Sequence, residues 1–300
     1  MTRLSRRRLA LGALAACASS PLAPRARLAR AQVSQELLRA RETTIEGRRV
    51  TFFVPKDRAE GERLPFAVLL HGLGETGDPR MGAWAWAERY GLVSAYERLH
   101  RAPVARTMER RDLTDETLQD VNKLLDAKPM RSMAFVCPHM PNIQTAPEAR
   151  GYADFLQRLL PVARKEAHLT EDPTKTCLAG CSLGSFVGIE AFLKHPGSWG
   201  GYAGVQTAVF DTSADALAGR LERVADDGAK DLFFSTSTLD HYRKSTEAIV
   251  AGLGRRGVPC TFRLSPGPHD QPWLREVGTL EMLLWMDRRA GMWVTGASSP

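Results

Sequence analysis

Nowhere in the sequence do eighteen apolar residues run consecutively, so no membrane-spanning helix is expected. Cysteine is scarce: there are five in 300 residues, with no Cys-x-x-Cys and no zinc-finger spacing, which excludes a disulfide framework and a structural zinc module. Acidic residues are missing from positions 1–31, where seven arginines stand (Arg3, Arg6, Arg7, Arg8, Arg25, Arg27 and Arg30). Taking those seven from the 41 basic residues leaves 34 against 34 acidic ones, so the formal charge of +7 belongs to this segment. The rest is neutral, and a nucleic-acid partner is not expected. A composition of 43% hydrophobic and 25% charged residues is that of an ordinary globular protein and excludes a disordered or collagen-like chain. Internal repeats and low-complexity stretches are absent after residue 31.

What the first 31 residues do contain is ordered: basic residues, the apolar stretch Leu9 to Ala16, then small residues, the three parts of a secretory signal peptide. Ser5-Arg6-Arg7-Arg8-Leu9 resembles a twin-arginine export signal. Two cleavage points are open. Leu14-Ala15-Ala16-Cys17 resembles a lipoprotein box, which would anchor the protein to lipid through Cys17; Ala29-Arg30-Ala31 is an A-x-A site that would leave Gln32 first. Either way the product is expected outside the cytoplasm, periplasmic, secreted or membrane-anchored; an arginine-rich tail or organellar transit peptide is the alternative. Residues 32–300 are read as a single domain.

In that domain Thr43-Thr44-Ile45 and Arg48 to Val54 flank Glu46-Gly47 and predict a hairpin. Short apolar runs follow at Phe66 to Leu70, Met133 to Cys137, Thr176 to Ala179, Tyr202 to Val205, Asp231 to Ser235 and Cys260 to Leu264. Each has the length of a strand. Between them lie amphipathic patterns, such as Tyr152, Phe155, Leu156, Leu159 and Leu160, or Trp273, Val277, Leu280 and Leu284. Continuous apolar strands alternating with helices predict an α/β fold, a mainly parallel sheet covered on both faces with the antiparallel hairpin at one edge. Cys137, Cys177, Cys181 and Cys260, an even number that an oxidising compartment could pair, sit in or beside the apolar runs and read as small buried hydrophobes. Residues 75–132 are longer than one crossover helix needs. They read as a first helix plus a helical insertion, with a helix at Thr114 to Leu125, of the kind that supplies lids or substrate walls.

Gly180-Cys181-Ser182-Leu183-Gly184 lies between a predicted strand and a predicted helix, the setting of a Gly-x-Ser-x-Gly nucleophile elbow. Such a turn is so sharp that side chains two residues either side of the serine would clash, which is why both are glycine. A serine hydroxyl is a weak nucleophile and needs a base oriented by a third group. His269, in Pro266-Gly267-Pro268-His269-Asp270 after the last strand, is the candidate base, and Asp240, after the strand Asp231 to Ser235, the candidate acid. Asp211, after the preceding strand, is the alternative acid; Asp270 is a poor orienter by adjacency. An oxyanion hole would draw on the Leu183 amide and, from Leu70-His71-Gly72-Leu73-Gly74, the Leu73 amide, with Gly72 and Gly74 admitting the substrate and His71 holding the loop. Trp84, Trp86, His139, Asn142 and Trp273 flank these loops and are candidate substrate contacts.

Together these segments resemble the α/β-hydrolase superfamily, and the second half is similar to its esterase D/antigen 85-like esterases, with Asp172 to Ser185, then His195-Pro196, Asp240 and His269 in the family's order. Ser185 departs from the family's frequent second glycine, and Cys181 from its larger residue. The resemblance implies an exported serine hydrolase acting on a small-molecule or polymer-derived carboxylic ester, without metal or cofactor. An acyltransferase, resembling the mycolyl-transferring relatives, and a non-catalytic envelope binding protein are the alternatives.

Overall fold

The computed structural model describes residues 37–226 and 230–289, which form part of one compact unit. The leader, with Cys17 and both cleavage points, lies outside the described residues. Strand β1 (Leu38–Ile45) turns back into β2 (Arg48–Pro55) through Glu46 and Gly47, both at positive φ (48° and 76°), as a two-residue hairpin whose twist matches its strands requires. Six further strands follow: β3 (Phe66–Leu70), β4 (Ala134–Pro138), β5 (Thr176–Cys181), β6 (Gly201–Val205), β7 (Asp231–Leu239) and β8 (Thr261–Pro268). They make one eight-stranded sheet in the order β1-β2-β4-β3-β5-β6-β7-β8. The pairings β1 to β2 and β2 to β4 are antiparallel and every other one is parallel.

Strands β3 to β6 are buried at every residue, as continuous apolar runs demand when both faces are covered. On one face lie α4 (Ala146–Ala167), α5 (Leu183–Lys194), α6 (Ala214–Asp226) and α7 (Arg243–Arg255), packed through Tyr152, Leu156, Phe192, Leu221 and Leu253. The other face is covered by α1 (Pro79–Glu88), α2 (Leu92–His100), α3 (Asp115–Ala127), the short α8 (Gln271–Trp273) and α9 (Thr279–Arg288), through Trp86, Tyr96, Val121, Leu280 and Met286. A π-helical turn, Leu274–Gly278, joins α8 to α9. Helix starts follow local chemistry. Asp78 accepts the Arg80 and Met81 amides before Pro79 opens α1, and Thr145 and Glu148 form a reciprocal capping box on α4.

Residues 75–132 hold three helices where the sequence suggests a first helix and one insertion. The helix expected at Thr114 is α3, with the Thr114 hydroxyl accepting the Thr117 amide at 3.1 Å. Strands β7 and β8 run past their apolar stretches because they pair with each other toward their carboxyl ends, Ser237 opposite Ser265 and Leu239 opposite Pro268. These ends carry the site. All four cysteines of the body are unpaired thiols, three of them buried.

Candidate active site

Ser182 sits between the end of β5 and the first residue of α5 at φ 51° and ψ −119°, a conformation that costs a non-glycine residue of order 1–3 kcal/mol. Neighbouring backbone compels it. A Cβ on Gly180 would stand 2.3 Å from the Gly184 carbonyl, and one on Gly184 would stand 2.4 Å from the Leu70 and His71 carbonyl oxygens. Both glycines are therefore needed, for the steric reason the motif implies. Ser185, the departure from the family pattern, is fully buried and bonds Tyr202 Oη at 2.7 Å and Thr207 Oγ1 at 2.8 Å, tying α5 to β6 and the loop beyond.

The Ser182 hydroxyl lies 3.0 Å from His269 Nε2, and His269 Nδ1 lies 2.8 Å from Asp240 Oδ1. An ionised carboxylate only accepts, so Nδ1 carries the proton and Nε2 presents its lone pair to the serine. Burial of Asp240 would push its carboxyl up, but bonds from His269, the Thr236 hydroxyl (2.6 Å) and the Tyr242 amide (3.0 Å) outweigh it and hold the group below its ordinary value. Asp211 opens an exposed turn after β6, and the imidazole it would have served is held by Asp240. Asp270 turns away, accepting the Trp273 amide and the Arg110 guanidinium.

The loop beneath His269 is anchored by side chains that no motif marks. Gln206, at φ 47°, donates its amide to the Pro268 carbonyl at 3.1 Å and to Ser237 Oγ at 2.9 Å, and the Ser237 hydroxyl donates to the same carbonyl. Nothing in the local pattern around Gln206 announces this, because its partners come from β7 and the far end of β8.

Leu183 is the first residue of α5 and Leu73 the first of a 3-10 turn, Leu73–Glu75, so neither amide has an acceptor within its own helix. The Gly72 amide is committed to Tyr90 Oη at 3.0 Å, which in turn donates to the buried Glu75 carboxylate. A Cβ on Gly72 would lie 3.7 Å from Ser182 Cβ, so this loop adjoins the serine. A Cβ on Gly74 would meet nothing within 4 Å, so close packing does not require glycine there. His71 is buried; burial pushes its pKa down to about 4 and leaves it neutral, with Nδ1 donating to the Gly72 carbonyl and Nε2 accepting the Met140 amide at 2.9 Å. It holds the loop.

Three candidate substrate contacts are corrected. Trp273 is fully buried, its indole N–H given to Ser265 Oγ at 2.9 Å, and belongs to the core. His139 is buried against the His71 ring and bonded to the Thr76 carbonyl. Trp84 is spent on the hairpin, edge-on to Phe53 with its N–H on Glu42. A cavity of about 520 Å³ is lined by Leu183, the residue after Ser182, with Phe186, Val209, Phe210, Leu217 and Tyr242. Phe210 is 75% exposed at its rim. Farther in, Glu190 is buried and paired with Arg220 at 2.5 Å and Arg150 at 3.2 Å.

No protein-family model matches the sequence, and no curated protein does. Solved structures do. A ferulic acid esterase superposes with a TM-score of 0.62 at 16% identity, over 84% of this chain and 97% of its own. An S-formylglutathione hydrolase from Staphylococcus aureus gives 0.59 at 16% identity, over 84% and 96%. The enterobactin esterase of Shigella flexneri gives 0.53 at 17% identity, over 83% of this chain and 58% of its own. Strand order, the hairpin, the helices on both faces and these likenesses agree: the chain has the α/β-hydrolase fold.

Proposed function

We propose that the chain is an exported serine hydrolase that cleaves a carboxylic ester through an acyl-enzyme on Ser182. The observation that carries this reading is the continuous hydrogen-bonded chain from Ser182 through His269 to Asp240, with the serine held in a strained turn. His269 Nε2 takes the hydroxyl proton as Ser182 Oγ attacks the acyl carbon, and Asp240 stabilises the imidazolium that forms. The Leu183 amide, at the positive end of α5, and the Leu73 amide receive the developing oxyanion. His269 then protonates the departing alcohol, and a water activated by the same imidazole releases the acid. An apolar acyl group has room in the cavity beside Leu183. Its source is a small-molecule or polymer-derived ester, as the names of the fold's neighbours, a ferulic acid esterase and an enterobactin esterase, also suggest.

A fluorophosphonate probe should label the protein at Ser182, and Ser182→Ala should lose both labelling and hydrolysis of short-chain aryl esters. Hydrolysis persisting in that variant removes the serine mechanism. The export half of the proposal rests on the arginines and apolar stretch of residues 1–31. Intact mass of the protein recovered from a bacterial envelope tests it: a new N-terminus at lipidated Cys17 or at Gln32 supports export, and an uncleaved chain in the cytosol overturns it.

A further inference from the structure

His241 follows the proposed acid directly, yet the chemistry above leaves it unused. Its ring lies 4.5 Å from that of His269, centroid to centroid, and its Nδ1 is 4.0 Å from Asp240 Oδ1, the same oxygen that holds His269. The His241 side chain is 63% exposed, so a small ion reaches it from solvent. One ligand atom from each of Asp240, His241 and His269 lies within 4.8 Å of the others. Zinc bonds imidazole nitrogen at about 2.0–2.1 Å and carboxylate oxygen at about 2.0–2.2 Å. A nitrogen and an oxygen 4.0 Å apart lie within the roughly 4.0–4.3 Å that two such bonds reach end to end, and a tetrahedral ion would draw them to about 3.3–3.5 Å. Two imidazoles and a carboxylate are a borderline donor set that suits zinc over the harder magnesium or calcium.

We propose that Asp240, His241 and His269 form an inhibitory zinc site, an inference that rests on the reading of Ser182, His269 and Asp240 as the catalytic chain. Neutral His269 carries one proton, on Nδ1. Zinc takes the Nδ1 lone pair, the ring proton resides on Nε2, and no proton need leave the ring. The bond from Nδ1–H to Asp240 is replaced by zinc bonds to His269 Nδ1, Asp240 Oδ1 and His241 Nδ1, with water as the fourth ligand. No electron changes hands. With Nε2 protonated, the imidazole donates toward Ser182 Oγ where it had accepted, and it can no longer take the serine's proton.

The test uses tag-free protein and zinc chloride, with two readouts. The first is hydrolysis of 4-nitrophenyl acetate by the wild type and His241→Asn. The wild type should be inhibited by micromolar zinc, unaffected by magnesium, and restored by chelation; His241→Asn should keep its basal rate and need at least about tenfold more zinc. Equal sensitivity of the two proteins, or a wild type indifferent to zinc, overturns the inhibitory role. The second readout needs no turnover. Calorimetry should show one zinc bound by Ser182→Ala and at least about tenfold weaker binding by Ser182→Ala with His241→Asn. No binding, or binding that ignores His241, overturns the site. A wild type without esterase activity defeats the hydrolase reading, while calorimetry still decides the metal site.

Discussion

Arg110, from the long crossover between β3 and β4, reaches Asp270, the residue after His269, at 2.7 Å. The same guanidinium meets Asp112, which is buried, at 2.5 Å. Farther along, Thr107 and Arg98 converge on Glu276, buried in the π-helical turn. Residues 98–112 therefore brace the segment that follows the proposed base.

Arg110→Ala should accordingly lower kcat more than it raises KM, because Asp270 keeps its cap on α8 while the loop carrying His269 loses its outer brace. The Arg110 pair with Asp270 is part-buried, and its loss also leaves the buried Asp112 carboxylate without its cation, a cost of about 1–3 kcal/mol, so the melting temperature should fall by several degrees. Arg110→Lys should recover part of the rate. Kinetics across the three proteins check this, and a pure KM effect would place Arg110 in substrate binding.

Replacing the acid separates the two aspartates between which the sequence leaves the choice open. Asp240→Asn keeps the shape but removes the charge that stabilises the imidazolium and puts an NH2 donor in place of one carboxylate oxygen, so the Nδ1–H tautomer is no longer enforced and kcat should fall by about 10⁴. Asp211→Asn alters an exposed turn and should leave kcat unchanged within a factor of two or so. Initial rates on one aryl ester decide between them.

The contrast between these residues shows what a sequence reveals. Ser182 is legible because the steric demand on Gly180 and Gly184 is local, and β3 to β6 because double burial writes a continuous apolar run. β1 starts at Leu38, well ahead of the Thr43 that the pattern marks, because an edge strand half open to solvent mixes Arg39, Arg41 and Glu42 with its few buried positions. Trp84 and Phe210 show the limit. Both are aromatics near loops, but which one lines the cavity beside Leu183 depends on packing between distant elements. Trp84 is spent on Glu42 and Phe53, from the hairpin far earlier in the chain, whereas Phe210 ends the loop after β6 and stays exposed.

If the cavity beside Leu183 takes the acyl group, filling it should change selectivity and spare the chemistry. Ala216 lines it and is exposed, so Ala216→Trp adds bulk without overpacking the core. Hydrolysis of an acetyl ester should persist while kcat/KM for a bulky aromatic acyl ester falls at least about tenfold, a loss of about 1.4 kcal/mol. Equal losses on both esters would place the acyl group elsewhere.

Two buried groups far apart in sequence give stability opposite dependences on pH. Burial pushes Glu281 up to about 7, above the ordinary carboxyl value of 4.5. Between those values the folded protein keeps a proton that the unfolded chain has lost, so this group's contribution declines as pH rises from about 4.5 to 7. His71 runs the other way: held at about 4 against an ordinary 6.5, it stays neutral while the unfolded chain protonates, so its contribution declines as pH falls from 6.5 to about 4. The two slopes oppose each other near pH 5 to 6 and hide in a single melting curve. Glu281→Gln removes one of them. It keeps the size and one hydrogen-bond donor of the neutral acid and cannot ionise, so the variant should gain stability relative to the wild type as pH rises from 5 to 8. Denaturant midpoints of the two proteins across that range give the difference directly; a constant difference would mean that Glu281 ionises in the folded state as it does in water.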